Sequence, residues 1–367
     1  MPRSPRHSGS SAPSSPQSDP AIEPQLNRVD ALIDTAGLVH HPRQIPAQVA
    51  RPDAIQEKSL ENLRPAPANA TTAPNGVQIV AVPGWDQLPW LWHGFSTRRG
   101  GVTHAYTADD APGELNLGFT PEDDRANVLR NRQLFAEAVS GDPATPLVTL
   151  RQIHSAVLVV PQRTATAQPL QPACKGDGIV TDQPGIVIGV QTADCVPVLV
   201  ADRKRKVVAA FHAGWRGTVK RIVENGIGRM RLEFGSHPED LVAAIGPAIG
   251  PCCYSVGEEV LSEFESQFSY AGDLFHQVDD ADIDPVRAKY PMTFLTQRPP
   301  GHSPAGPSLH LDLLEANRRQ LLAAGLAPES IQFAGGCTAC QPHLFFSHRA
   351  SHGRAGRMLN VIGIRQK

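Results

Sequence analysis

From Val77 onward, apolar residues recur in runs of five to seven, separated by Gly, Pro and Asp. Runs of that length read as strands, because a helix needs about ten residues or more. They predict strands at 77–82, 156–160, 186–190, 196–201, 206–211, 241–245 and 358–364. Elsewhere the apolar positions return every three or four residues, the spacing of a helix with one buried face. The clearest case is 218–234, where Val219, Ile222, Val223, Ile227, Met230 and Phe234 share a face. Thr218 is placed to cap its start and Gly235 to close its end. A second predicted helix, 312–324, has Asp312 as cap, Glu315 three residues on and Gly325 after it. Two more are predicted at 122–139 and 257–268. Strands follow one another as often as they alternate with helices, which favours an α+β fold over a doubly wound sheet.

Composition separates the first 75 residues from the rest. They hold 12 of the 34 prolines and none of the 20 aromatic residues. Such a segment buries too little surface to offset its ordering entropy. The expectation is therefore a disordered, Pro-rich extension over 1–75, with one short helix near Leu26 to Leu38, ahead of one catalytic domain over 76–367. Pro-rich segments dock to partners, so a protein partner for 1–75 is open. The beginning, MPRSPRHSGS, lacks the apolar stretch of a secretory signal. With 34 basic and 36 acidic residues, no global basic field favours nucleic acid or a membrane surface. No run of 18 apolar residues is present. The expected location is cytoplasmic, and six cysteines are too few to build a scaffold of this length from disulfides.

Candidate chemistry concentrates in 191–217, QTADCVPVLVADRKRKVVAAFHAGWRG. Two apolar runs flank Asp202-Arg203-Lys204-Arg205 and read as an antiparallel hairpin whose loop is centred on those four residues. In that register Cys195 and His212 face each other at the open end, near enough for a thiolate and an imidazole to reach one metal ion. A third ligand has to come from elsewhere, and His154, at the start of a strand, is the best candidate. Two histidines and one cysteine with a fourth position open to water suit catalytic zinc, and soft sulfur beside imidazole also takes copper.

The blocks STRRGGVTHAY (96–106), LNLG (115–118), RQIHS (151–155), GDGIVT (176–181), TADCVPVLVAD (192–202), HAGWRG (212–217), GPAIGPCCYSVG (246–257), CTACQPHLFFSHR (337–349) and GRM (356–358) together resemble the laccase-domain family. This is the YfiH or multicopper polyphenol oxidoreductase-like family, which includes the peptidoglycan editing factor. The likeness spans roughly 78–366. It implies a single domain of α/β/β/α layers with mixed sheets, and zinc held by His154, Cys195 and His212. One block departs: Ser255-Val256-Gly257 stands where Glu-Val-Gly is common, with Glu258 close by.

The resemblance further implies phosphorolysis of adenosine, inosine and S-methyl-5'-thioadenosine to base and ribose 1-phosphate, and deamination of adenosine by zinc-activated water. The partners would be a nucleoside and phosphate. Deamination needs a proton shuttle beside the metal water, and Asp177 is preferred over Asp194, which points away from Cys195 on a regular strand. Phosphate needs cations and amides. Arg98 precedes a Gly-Gly turn, Arg216 precedes a helix start, and Arg349 and Arg357 lie in the C-terminal blocks. Asn116 and Gln152 are candidates for a base or ribose edge, and Trp215 either stacks on a purine or plugs the core. The same zinc site would serve the alternative, a hydrolase editing peptidoglycan precursors. Copper polyphenol oxidation is the weakest reading, because the 14 histidines include no His-x-His pair. Cys337 and Cys340 form a CxxC, and Cys252 and Cys253 are adjacent. Reduced thiols are the expectation there, with a second metal site or a redox pair as the alternatives. His348 and His352 are four apart, but Gly353 and its polar surroundings argue against a helix that would present both to one metal.

Overall fold

The computed structural model describes residues 59–107, 111–161, 174–278 and 308–366. The chain divides into a unit of residues 1–50, outside the described residues, and a unit of 51–367 that holds everything below. The expected helix near Leu26 also lies outside the described residues.

One six-stranded sheet has the order β1 (Ala70–Thr72), β2 (Gln78–Val80), β3 (Leu91–Ser96), β16 (Met358–Ile364), β8 (Val187–Thr192) and β5 (Leu147–Thr149). A second runs β15 (Ile331–Phe333), β11 (Leu241–Ile245), β9 (Val196–Asp202), β10 (Val207–Ala213), β7 (Gly178–Thr181) and β6 (Leu158–Val159). A three-stranded sheet is ordered β12 (Ser255–Val256), β14 (Ser308–Leu311) and β13 (Phe275–Val278), and β4 (Arg99–Thr103) follows β3 directly. The helices are α1 (Arg125–Ser140), α2 (Trp215–Val219), α3 (Ile222–Phe234), α4 (Glu258–Gln267) and α5 (Leu313–Ala323).

Side-chain alternation along the strands sets the layers. In β9, Leu199 and Ala201 point toward the first sheet and meet Ile188, Val190, Phe95 and Ile362. Val196, Val198 and Val200 point the other way, against Ile222, Val223, Ile227 and Met230 of α3 and Leu313 and Leu321 of α5. The outer face of the first sheet packs Val187, Leu359 and Val361 on Phe135 of α1. The result is the expected α/β/β/α order. Strands β9, β10 and β16 are buried at every position, which is why they read as continuous apolar runs. No helix among the described residues is long and apolar enough to cross a membrane.

Three expectations need correction. First, the helix over 218–234 is two helices. Arg221 adopts φ 58, in the left-handed region, between α2 and α3. Gln320 of α5 spans the break: its amide donates to Thr218 O at 2.7 Å, and its carbonyl accepts from Val223 N–H at 3.3 Å. Thr218 is not a cap; its buried hydroxyl pairs with Asn317. Gly235 does close α3, at φ 66, and Asp312 does cap α5, accepting from Glu315 N–H. Second, the β9–β10 hairpin turns one residue later than expected. Asp202 pairs with Val207, and its Oδ1 accepts from Lys204 and Arg205 N–H, so the loop is 203–206. Third, residues 59–75 belong to the fold. Strand β1 pairs antiparallel with β2, and Leu63 is buried against Ile249, Cys252 and Cys337.

Candidate metal centre

The hairpin shift moves every cross-strand pair by two residues, which keeps each side chain on its own face. His212 opposes Pro197, so Cys195 lies diagonal to it rather than opposite. Cys195 instead lies across from Gly214. A Cβ at Gly214 would come within 3.1 Å of the Cys195 sulfur and 3.3 Å of His154 Cδ2. Glycine there leaves room for the thiol and the His154 ring to approach each other. The ligand atoms of His154, Cys195 and His212 all lie within 4.8 Å of one another, and the two rings stand edge to face with centroids 4.9 Å apart. One ion can therefore bridge the three with bonds of about 2.0–2.3 Å.

The centre sits at the end of the sandwich, where residues 193–195 carry the chain from β8 in one sheet to β9 in the other. That crossing is strained: Asp194 is held at φ 96. Its carboxylate accepts from Thr338 Oγ1 and from Arg349 N–H, both at 2.7 Å, and its carbonyl accepts from Ile249 N–H. The strain is held by bonds from chain segments far away in sequence, a pattern common at functional sites. His154 is also left-handed, at φ 56.

Asp177 organises the ligands. It immediately precedes β7, the neighbour of β10, and its carbonyl accepts the His212 N–H at 2.7 Å. Its buried carboxylate lies 2.9 Å from His212 Nδ1 and accepts N–H bonds from Ile153, His154 and Ser155, plus the Ser155 hydroxyl. Burial alone would raise its pKa; the bonds from His212 and Ser155 outweigh that and hold it down to about 2. With Nδ1 bonded to the carboxylate, His212 presents Nε2 to the centre, and the same carboxylate orients the loop bearing His154. The Cys195 thiol and the His212 imidazole each shift the other's titration. Burial opposes the charge on each, but the attraction between them prevails, bringing the thiol down to about 6 and the imidazole up to about 9.

A cleft of about 570 Å³ opens over the ligands. Its walls include Gln152, Asp194, Arg349 and Arg357 among the sequence candidates. Gln152 has both amide ends engaged by the Gln191 backbone. Arg349 binds Ser255 Oγ and O and lies near the Cys253 carbonyl, so Ser255 serves as an anchor where a carboxylate is common. Five candidates lie outside the cleft lining: Asp177, buried behind His212, and Arg98, Asn116, Arg216 and Trp215. Arg98 pairs with Glu114 and lines a separate small hollow. Asn116 is buried, bonded to Gly118, Asp123 and Arg357 N–H. Arg216 is exposed, its guanidinium 4.3 Å from the centroid of the Trp215 ring, and Trp215 itself packs on the core.

Residues 92–365 match the family described as multi-copper polyphenol oxidoreductase laccase. The chain belongs to that family. Purine nucleoside phosphorylase YlmD of Geobacillus stearothermophilus is 35% identical over 279 residues, 75% of this chain and 90% of that protein. Adenosine deaminase RL5, from an unknown prokaryotic organism, is 34% identical over 274 residues, 73% of this chain and 92% of that protein. The crystal structure of YlmD from Geobacillus stearothermophilus matches with a TM-score of 0.62 at 31% identity, covering 82% of this chain and 100% of that one.

Sequence reasoning did not single out Phe119, Arg151, Gln191 or Tyr254, which also line the cleft, and it set His348 aside. Phe119 had one available signal: an aromatic beside Gly118 in a polar stretch, 48% exposed in the fold. The others depend on how distant loops meet.

Proposed function

We propose that this protein is a zinc-dependent purine nucleoside enzyme that phosphorolyses adenosine, inosine and S-methyl-5'-thioadenosine and also deaminates adenosine. The observation that carries this reading is the His2Cys cluster at the floor of a cleft walled by arginines. Two neutral imidazoles and one thiolate, with a fourth side facing open space, suit zinc. Bound there, zinc supplies Lewis acidity and lowers the pKa of a water ligand to about 7. The names of the relatives, a purine nucleoside phosphorylase and an adenosine deaminase, support the substrate class.

The remaining roles follow from placement. Asp177 is a positioning residue: its oxygens are occupied by His212 and the 153–155 loop, so it fixes geometry rather than shuttling a proton. Arg349 and Arg357, with Arg151 beside them, are the cations for phosphate. Arg216 lies turned over Trp215 and is less suited to that task. Phe119, exposed on the cleft wall, offers a face for a purine to stack on. The cleft volume falls within the usual range of about 300–1,000 Å³ for small-molecule sites.

The test is incubation of metal-defined protein with adenosine, with and without phosphate, followed by chromatography. Adenine and ribose 1-phosphate appearing only with phosphate, and inosine appearing in both cases, are expected. Metal analysis should find zinc, with no copper. Cys195→Ala should lose the metal of this site and deamination together. Undiminished turnover by the variant without that metal would reject the mechanism.

A further inference from the structure

We infer that Cys252, Cys253, Cys337 and Cys340 form a second metal site, a tetrathiolate zinc centre that braces the wall of the cleft. The four sulfurs all lie within 4.8 Å of one another. Cys340 Sγ is 3.5 Å from that of Cys252 and 3.4 Å from that of Cys253. A tetrahedron with zinc–sulfur bonds of about 2.3 Å has edges of about 3.8 Å. A disulfide would need about 2.05 Å, and all four cysteines are free. Packing of thiols as small apolar groups would spread them through the core rather than turn four sulfurs toward one point. Cys252 and Cys337 are buried and the other two partly so, which suits a structural site closed to substrate. The Gly250 N–H points at Cys337 Sγ at 3.3 Å, the backbone donor a metal-bound thiolate accepts. Zinc, being tetrahedral and thiophilic, is the metal this donor set selects. On ligation the sulfurs bind as thiolates, and their protons pass to solvent.

The site joins two segments that each hold a residue of the cleft wall in place. Cys252 and Cys340 are 88 residues apart in the chain. The 249–255 segment supplies the Ile249 N–H to Asp194 O and the Ser255 contacts to Arg349. The 337–340 segment supplies Thr338, whose hydroxyl holds the Asp194 carboxylate. Metal at the four cysteines would therefore clamp, from behind, the residues that hold the strained Asp194 and the Arg349 guanidinium. It involves none of the three ligands of the His2Cys centre and does not depend on the activity assigned to that centre.

The experiment is metal analysis of the full chain purified under reducing conditions with zinc supplied. Wild type should carry two zinc ions per chain. Cys195→Ala should carry one, with its thermal midpoint little changed. Cys340→Ser should also carry one and melt at a lower temperature. Because Cys340→Ser can fail to fold, cobalt-substituted wild type and Cys195→Ala provide a second reading. Cys195→Ala should retain most of the sulfur-to-cobalt charge-transfer absorption, since four of the five ligating thiolates remain. The inference is overturned if Cys195→Ala binds no zinc and shows no such absorption. It is equally overturned if the four cysteines in zinc-loaded protein react freely with iodoacetamide or are recovered as disulfides. One zinc in wild type that persists in Cys195→Ala would uphold this site and count against the His2Cys centre.

Discussion

A single carboxylate can set the geometry of two metal ligands when its oxygens are saturated by both. Asp177 is placed to do this for the candidate ligands His154 and His212, through four donors besides the ring. Asp177→Asn keeps the size but removes the charge and turns an amide donor against backbone N–H groups. Metal affinity at the His2Cys centre should fall about 10–100-fold, the usual effect of losing such a partner. Competition with a chelator measures it, and unchanged affinity would remove Asp177 from that role. His93 offers a pH prediction far from the site. Burial, aided by the charge of Arg365, lowers its pKa to about 4, and its Nδ1 has no hydrogen-bond partner among the described residues. Unfolded, it titrates near 6.5. Between those values the unfolded chain takes up a proton that the folded chain refuses. Stability from this group is therefore complete above about pH 6.5 and declines as the pH falls toward 4. His93→Phe should flatten that decline, as read from urea midpoints at pH 7.5 and 4.5. Equal declines in both proteins would show that His93 does not contribute.

At the scale of elements, close approach decides what each glycine does. Helix α3 lies on β10 at Gly226, where a Cβ would overlap the Phe211 ring. Gly228, two residues on, has nothing among the described residues within 4 Å of its Cβ position. Gly226→Ala should destabilise by about 1–3 kcal/mol through overpacking. Gly228→Ala should stabilise by about 0.5–1 kcal/mol, since glycine weakens a helix interior. Denaturant unfolding of the pair checks both signs at once. The same helix shows how tertiary bonding overrides periodicity. Its apolar spacing is continuous back to Val219, yet Gln320 accepts and donates across the Arg221 break and replaces the bonds an unbroken helix would make. The hairpin is similar. By its place in the polar run Asp202 belongs to the turn, but in the fold it is a fully buried last strand residue whose carboxylate closes the turn beyond it.

At the scale of the molecule, the two sheets and their helices bury the central strands β9, β10 and β16 on both faces, and the cleft forms where the chain passes from one sheet to the other. Residues 59–75 are part of that assembly through β1 and Leu63. A chain starting at residue 76 should therefore melt below one starting at residue 59, by differential scanning calorimetry. Equal midpoints would mean that β1 and Leu63 add nothing. The sequence by itself determined the strand and helix faces, the α+β class and the chemical character of the centre. Each of these depends on periodicity or residue type, which are local properties. It also carried Cys195 and His212 to one end of a hairpin, because a register error of two residues preserves the face. Only the tertiary structure decided that Gly214 makes room for His154, that Asp177 serves His212 from the adjacent strand, and that Arg349 reaches the cleft while Arg98 and Arg216 do not. Those outcomes are set by contacts between residues tens to hundreds apart in the chain, and no spacing along it encodes such distances.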